Sequence, residues 1–210
     1  MSIAALYNSL PDLKFANDAF IDRDVMFGKL APLLAAYQFQ FGLCLVHAHC
    51  ALNEGEAMVA SGNISRPVRG GPRYPERWLS DGTAYEFNQE PTIVPPPELI
   101  RDFQAIVGKD TVLGLYYSGD VQGGKIWLEH TEGRDNVVEL VDRDREITPI
   151  LRSSATRFSI YHLVEISSHV ETGWLPGTDA PLTMTCAIVC VGTEEDHTKP
   201  HQKVDPILPS

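Results

Sequence analysis

The sequence predicts an α+β fold in which a largely antiparallel, curved sheet or partial barrel packs against a few helices. Two helical patterns occur in the first half of the chain, and strand-like segments dominate the second half. Turns that contain Gly, Asp or Pro separate most of these segments. Because the 210 residues show no repeat and no hinge-like linker, we expect one domain over residues 1–210, with 195–210 as a loosely packed C-terminal tail.

Two helices are predicted from apolar stripes with helical spacing. The first follows Asp22, a residue suited to an N-cap, and runs to about Gln38. The second follows a run of prolines, ends before Gly108 and buries Phe103. Between them lies a proline-rich stretch from Arg66 to about Pro97, which we interpret as an ordered excursion that covers a face or a pocket mouth.

The segment 41–52, "FGLCLVHAHCAL", predicts a central strand. Its two alternating sets of side chains are both apolar, which indicates that both faces are covered. Residues 57–68 are expected to return as its hairpin partner. Alternation places His47 and His49 on one face, about 7 Å apart along the strand.

Strand-like runs follow residue 110, and aromatic side chains are frequent among them and in the preceding excursion. Large aromatic rings suit the wall of a pocket for a small organic molecule. The predicted substrate-binding residues are Trp78, Tyr85, Tyr116, Tyr117, Trp127 and His162.

The composition narrows the choice of partners and compartment. The formal net charge of -11 disfavours nucleic acid and anionic membranes as partners. The N-terminal residues lack the pattern of a secretory signal, and no apolar run approaches the roughly 20 residues that span a bilayer. We therefore expect a cytoplasmic protein with its four cysteines reduced, and we leave its oligomeric state open.

Three interpretations of the histidine pair stay open. In the first, His47 and His49 act as acid and base, with Glu54 or Glu56 orienting a ring. In the second, they bind a divalent metal. In the third, they are buried, hydrogen-bonded and purely structural.

The metal interpretation comes from a resemblance to the cupin family. The residues that resemble the first cupin motif are Gly42, His47, His49, Glu54 and Gly62. His130 follows Gly119 at the separation of the second motif, whereas Lys125 and Trp127 stand where that motif has proline and glycine. The resemblance implies a divalent metal held by His47, His49, Glu54 and His130.

The same segment resembles small fungal proteins of unassigned function that share the hairpin pattern L-x-H-x-H-x-x-L-x-x-G-E. Leu45, His47, His49, Leu52 and the pair Gly55–Glu56 match that pattern. The resemblance implies a role in fungal secondary metabolism and a small apolar substrate.

The leading hypothesis is a small-molecule enzyme with an apolar pocket that works by acid-base chemistry without a cofactor. Isomerase, cyclase and lyase reactions need only such proton transfers. The alternatives are a cupin-like, metal-dependent enzyme and a binding or scaffold protein without catalysis. No nucleotide-binding glycine pattern and no nucleophile elbow is present in the sequence.

Overall fold

The computed structural model describes residues 1–119, 125–142 and 169–187. Within these ranges the helices are α1 (Ile3–Asn8), α2 (Leu13–Ala19), α3 (Arg23–Ala36) and α4 (Pro97–Val107). The strands are β1 (Phe41–Leu45), β2 (Glu56–Ser61), β3 (Ile64–Arg69), β4 (Tyr74–Trp78), β5 (Ala84–Asn88), β6 (Leu113–Tyr117), β7 (Lys125–Glu132), β8 (Asp135–Asp142), β9 (His169–Trp174) and β10 (Leu182–Ala187).

The described strands form a closed barrel in the order β1-β6-β4-β5-β2-β3-β8-β7-β10-β9. The ring closes where β9 pairs with β1, at Leu43 beside Trp174. The pairs β2–β5 and β7–β10 are parallel, and the other neighbouring strands are antiparallel. The predicted α+β class with a largely antiparallel sheet is therefore confirmed, and the sheet is closed rather than partial.

The segment 41–52 is buried along its whole length, as its apolar residues predict. The prediction of one long strand was wrong, because β1 ends at Leu45 and residues 46–52 are irregular. The predicted hairpin partner was also wrong. β1 pairs with β6 and β9, while β2 pairs with β3 and β5.

Helices α2, α3 and α4 pack with strands β1 and β6 in the largest apolar cluster of the described chain. Leu34 of α3, Phe103 of α4, Leu43 of β1 and Leu115 of β6 all belong to it and are fully buried. The two predicted helices are confirmed at 23–36 and 97–107, with Phe103 inward as expected. The proline-rich excursion contains strands β4 and β5, which supply part of the barrel wall.

Helices α1 and α2 and strand β9 had no counterpart among the predicted elements. Helix α1 packs against β2 and β5 and carries Tyr7, which is completely buried. His162, Cys190 and the tail 195–210 lie outside the described residues. The predictions for these positions remain predictions.

Candidate functional site

A cavity of about 320 Å³ lies inside the ring of strands. Its wall includes Tyr116, Tyr117 and Trp127, together with the charged residues Glu76, Arg77 and Glu129. Arg77 is on β4 and Glu129 is on β7, which are not neighbours in the ring. Their side chains nevertheless meet at 2.5 Å, so both project across the barrel interior.

Arg77 is the centre of a buried network of charges. Its Nη2 donates to Oε1 of Glu129 at 2.5 Å, and its Nε lies 3.2 Å from Oε2 of Glu86. The hydroxyl of Tyr7 donates to the other oxygen of Glu86 at 3.3 Å. Oε2 of Glu129 is buried and has no hydrogen-bond partner among the described residues. A charged oxygen without a partner is costly to bury, so a donor that reached this atom would stabilise it.

Burial raises the pKa of Glu86 to about 7, although the positive charge of Arg77 acts in the opposite direction. Burial also raises the pKa of Glu76, which lines the cavity. For Arg77, burial opposes the charged form, but the charges of Glu129 and Glu86 outweigh it and raise the pKa. The interior therefore holds an ionised guanidinium and, in Glu86, a carboxyl group that can exchange a proton near neutral pH.

The two histidines follow β1 in an irregular segment whose backbone bonds to groups outside the sheet. Nδ1 of His47 lies 2.8 Å from the carbonyl oxygen of Leu45, two residues earlier. The backbone N–H of Ala48 donates to the carbonyl of Pro11, and that of His49 donates to the hydroxyl of Tyr7. These partners replace the strand neighbours that the backbone of an interior strand would have.

The imidazole rings of His47 and His49 meet edge to face, with centroids 4.6 Å apart. Both side chains are buried, and neither lines the cavity. Burial lowers the pKa of His47, although the charge of Glu129 opposes this shift, so the neutral ring is favoured. The prediction that His47 and His49 lie side by side is confirmed, but neither ring lines the cavity.

Cys186 of β10 completes a cluster with the two histidines. One ligand atom from each of the three residues lies within 4.8 Å of the other two, and all three side chains are buried. The cluster includes neither Glu54, which is exposed, nor His130, whose Nε2 lies 3.1 Å from Glu132. The metal set implied by the cupin resemblance is thus not the set that the fold brings together.

Glu56 occupies a different environment from the one predicted. Its carboxylate accepts from Arg134 at 2.5 Å and from the backbone N–H of Asn53 at 2.7 Å. Burial alone would raise its pKa, but these hydrogen bonds outweigh burial and lower it to about 2. A carboxylate held ionised in this way is a poor proton carrier at neutral pH, and Glu56 contacts neither His47 nor His49 in any bond that the structure records.

The predicted wall residues are divided between the cavity and the protein core. Tyr116, Tyr117 and Trp127 line the cavity. Trp78 packs against Phe41 outside it, with ring centroids 6.0 Å apart. Tyr85 is buried with its hydroxyl 3.4 Å from Sγ of Cys44.

Sequence reasoning missed Arg77, Glu86 and Glu129. Each is a charged residue inside a short strand rich in aromatic or aliphatic residues: "YPERW", "AYEFN" and "KIWLEHTE". A charge in such a strand either faces solvent or belongs to an interior network. That pattern was a usable signal, although it does not reveal which charges are paired.

Comparisons of the chain with protein-family models, with curated proteins and with solved structures return no match. In the described part of the chain, the helices fall short of the length and apolar character needed to cross a bilayer.

Proposed function

We propose that this protein binds a small organic amine inside its barrel and transfers a proton to or from it. The observation that carries the proposal is Glu129, which lines a cavity of about 320 Å³ and whose Oε2 has no hydrogen-bond partner within the described ranges. This volume is in the range of pockets that enclose small ligands. A protonated amine supplies the N–H donor that the Glu129 oxygen lacks.

The balance of charge in the barrel favours a cationic ligand over an anionic one. When Glu76, Glu86 and Glu129 are all ionised, they face the single guanidinium of Arg77 among the residues described above, and burial already raises the pKa of Glu76 and Glu86. Burying an excess of negative charge is unfavourable unless a positive group offsets it. An ammonium group beside Glu129 would offset part of that excess.

The aromatic wall supports the same ligand class. Tyr116, Tyr117 and Trp127 line the cavity that also holds Glu76 and Glu129. Aromatic faces attract cations by about 0.5–2 kcal/mol, and they also accept the apolar body of a ligand. The expected substrate is therefore apolar over most of its surface and carries one amine.

Glu76 is the residue that we assign to proton transfer. It lines the cavity, and burial raises its pKa above the ordinary value of a glutamate. A raised pKa makes a carboxyl group better suited to take up and release a proton. His47 and His49 do not line the cavity, so they have no direct route to this ligand. Isomerisation, elimination and cyclisation are the reaction classes that need only such a transfer.

Binding is tested by thermal unfolding with arylalkylamines and with the alcohols and carboxylates of the same shape. At a concentration of 100 times Kd, a bound amine stabilises the fold by about 2.7 kcal/mol, or roughly 5–11 °C in Tm. Glu129→Gln should abolish most of this shift. Glu139→Gln is the matched control, because Glu139 is exposed on β8. Equal stabilisation by the alcohols or carboxylates would contradict the charge argument.

Catalysis is tested separately with an amine that binds. The probe is an amine that also carries a ketone, because only a C–H next to such a group is acidic enough to give its proton to a carboxylate. Incubation in heavy water should replace that hydrogen with deuterium, as detected by mass spectrometry, and Glu76→Gln should suppress this exchange by roughly 100-fold or more. Binding without any exchange would favour the alternative of a non-catalytic binding protein.

A further inference from the structure

The cluster of His47, His49 and Cys186 is separate from the cavity, since none of its members lines it. The side chains are 2%, 1% and 0% exposed. One ring nitrogen from each histidine and Sγ of the cysteine lie within 4.8 Å of one another. Imidazole and thiolate are the ligands that proteins use for zinc and for softer transition metals, whereas Mg²⁺ and Ca²⁺ take oxygen ligands.

The spacing is close to what a metal needs. With bonds of about 2.0–2.3 Å, the ligands of a tetrahedral zinc ion lie about 3.3–3.8 Å apart. Atoms that are at most 4.8 Å apart must therefore approach by about 1.5 Å or less. Rotation of two rings and one thiol can supply that movement without a change in the backbone.

The surroundings of the histidines match the outer shell of a metal site. The bond between Nδ1 of His47 and the Leu45 carbonyl requires the proton to be on Nδ1, which places the lone pair of the neutral ring on Nε2. Metal-binding histidines are commonly oriented by such a carbonyl or by a carboxylate. Oε1 of Glu86 lies 3.9 Å from Nε2 of His49, and Tyr7 bonds to both Glu86 and the backbone of His49.

The charge of the neighbouring groups is a second, independent observation. The negative charge of Glu129 acts on His47, and Glu86 lies beside His49. Arg77 is the cation that pairs with both carboxylates. A divalent ion bound by one thiolate adds net positive charge next to this acidic region.

We propose that His47, His49 and Cys186 bind one zinc-like divalent ion, with a fourth position for water or another ligand. Three protein ligands with an open position are typical of catalytic rather than structural zinc sites. The ion and the amine would both lie near Glu86 and Glu129, but the amine needs none of the three proposed metal ligands, so each binding event is measured by itself and either proposal can fail while the other holds.

The test uses the full chain after dialysis against a chelator, followed by titration with Zn²⁺ and with Co²⁺. Wild-type protein should bind one Zn²⁺ per chain, and its Co²⁺ form should show sulfur-to-cobalt charge-transfer absorption. Cys186→Ala should remove that absorption and weaken Zn²⁺ binding by more than the roughly 10–100-fold loss typical of an outer-shell change. Cys50→Ala is the matched control, because Cys50 is equally buried and lies outside the cluster.

X-ray absorption at the zinc edge of the wild-type protein reads the ligands directly and needs no variant to fold. One sulfur at about 2.3 Å and two imidazole nitrogens at about 2.0–2.1 Å would support the site. A zinc spectrum without sulfur, a Co²⁺ form without charge-transfer absorption, or equal effects of Cys186→Ala and Cys50→Ala would overturn it.

Discussion

Replacing Arg77 with methionine tests whether the buried charges hold the barrel together. Methionine has a similar length and apolar stem, but it leaves the carboxyl groups of Glu86 and Glu129 without their guanidinium. Both contacts, at 3.2 and 2.5 Å, involve side chains that are at most 9% exposed. Removing one partner of a buried ion pair costs about 3–5 kcal/mol, which lowers Tm by about 6–20 °C in a chain of this size.

The loss should depend on pH with a definite sign. The pKa of Glu86 is about 7 in the folded protein, above its ordinary value of 4.5, so the folded state binds a proton that the unfolded state lacks between these values. Stability from this group is present below pH 4.5 and is lost as pH rises through 7. Arg77 lowers the pKa of Glu86, so removing it raises that pKa further and extends the loss to higher pH.

The assay is urea unfolding, followed by tryptophan fluorescence, at about pH 5 and about pH 8. Arg77→Met should lose more stability at the higher pH, where Glu86 must ionise without the guanidinium. Arg101→Met is the matched control, because the Arg101 side chain is 68% exposed and pairs with the adjacent Asp102 on the helix surface. This variant should lower the free energy of unfolding by about 0.5 kcal/mol or less. A loss for Arg77→Met that is no larger than the control, or that is the same at both pH values, would refute the reasoning.

Three further variants test local packing and charge, at Gly42 of β1, Gly28 of α3 and Glu56 of β2. A Cβ at Gly42 would overlap the Tyr116 ring, so Gly42→Ala should destabilise the protein by about 1–3 kcal/mol and weaken amine binding. Gly28 has open space around it, so Gly28→Ala should stabilise the protein by about 0.5–1 kcal/mol. Thermal unfolding measures both changes. Glu56→Gln should lower the free energy of unfolding by about 1–2 kcal/mol above pH 4.5; the loss is moderate because the paired Arg134 side chain is 32% exposed. The difference from wild type should vanish as pH falls toward 2, because the pKa of Glu56 is lowered to about 2 in the folded protein. Amine binding and deuterium exchange should survive Glu56→Gln, and their loss would restore the catalytic role first predicted for that residue.

Sequence patterns were reliable where they describe one face of one element. The stripe that includes Phe103 predicted the helix 97–107, and the apolar residues of 41–52 predicted a fully buried segment. They failed at the end of β1, because the partners of Ala48 and His49 are Pro11 and Tyr7, far away in the chain. No local pattern distinguishes a buried strand from a buried irregular segment whose hydrogen bonds go to distant groups.

The candidate sites show the same division. By itself the sequence determined that His47 and His49 are close together and buried, because they are separated by a single residue in an apolar run. Only the tertiary structure decided that Cys186 joins them and that Glu54, Glu56 and His130 do not. It also decided that Arg77 meets Glu129, 52 residues later in the chain. Side-chain alternation has a period of two residues and is encoded locally, whereas the order of strands around a closed barrel depends on pairing and burial summed over the whole chain.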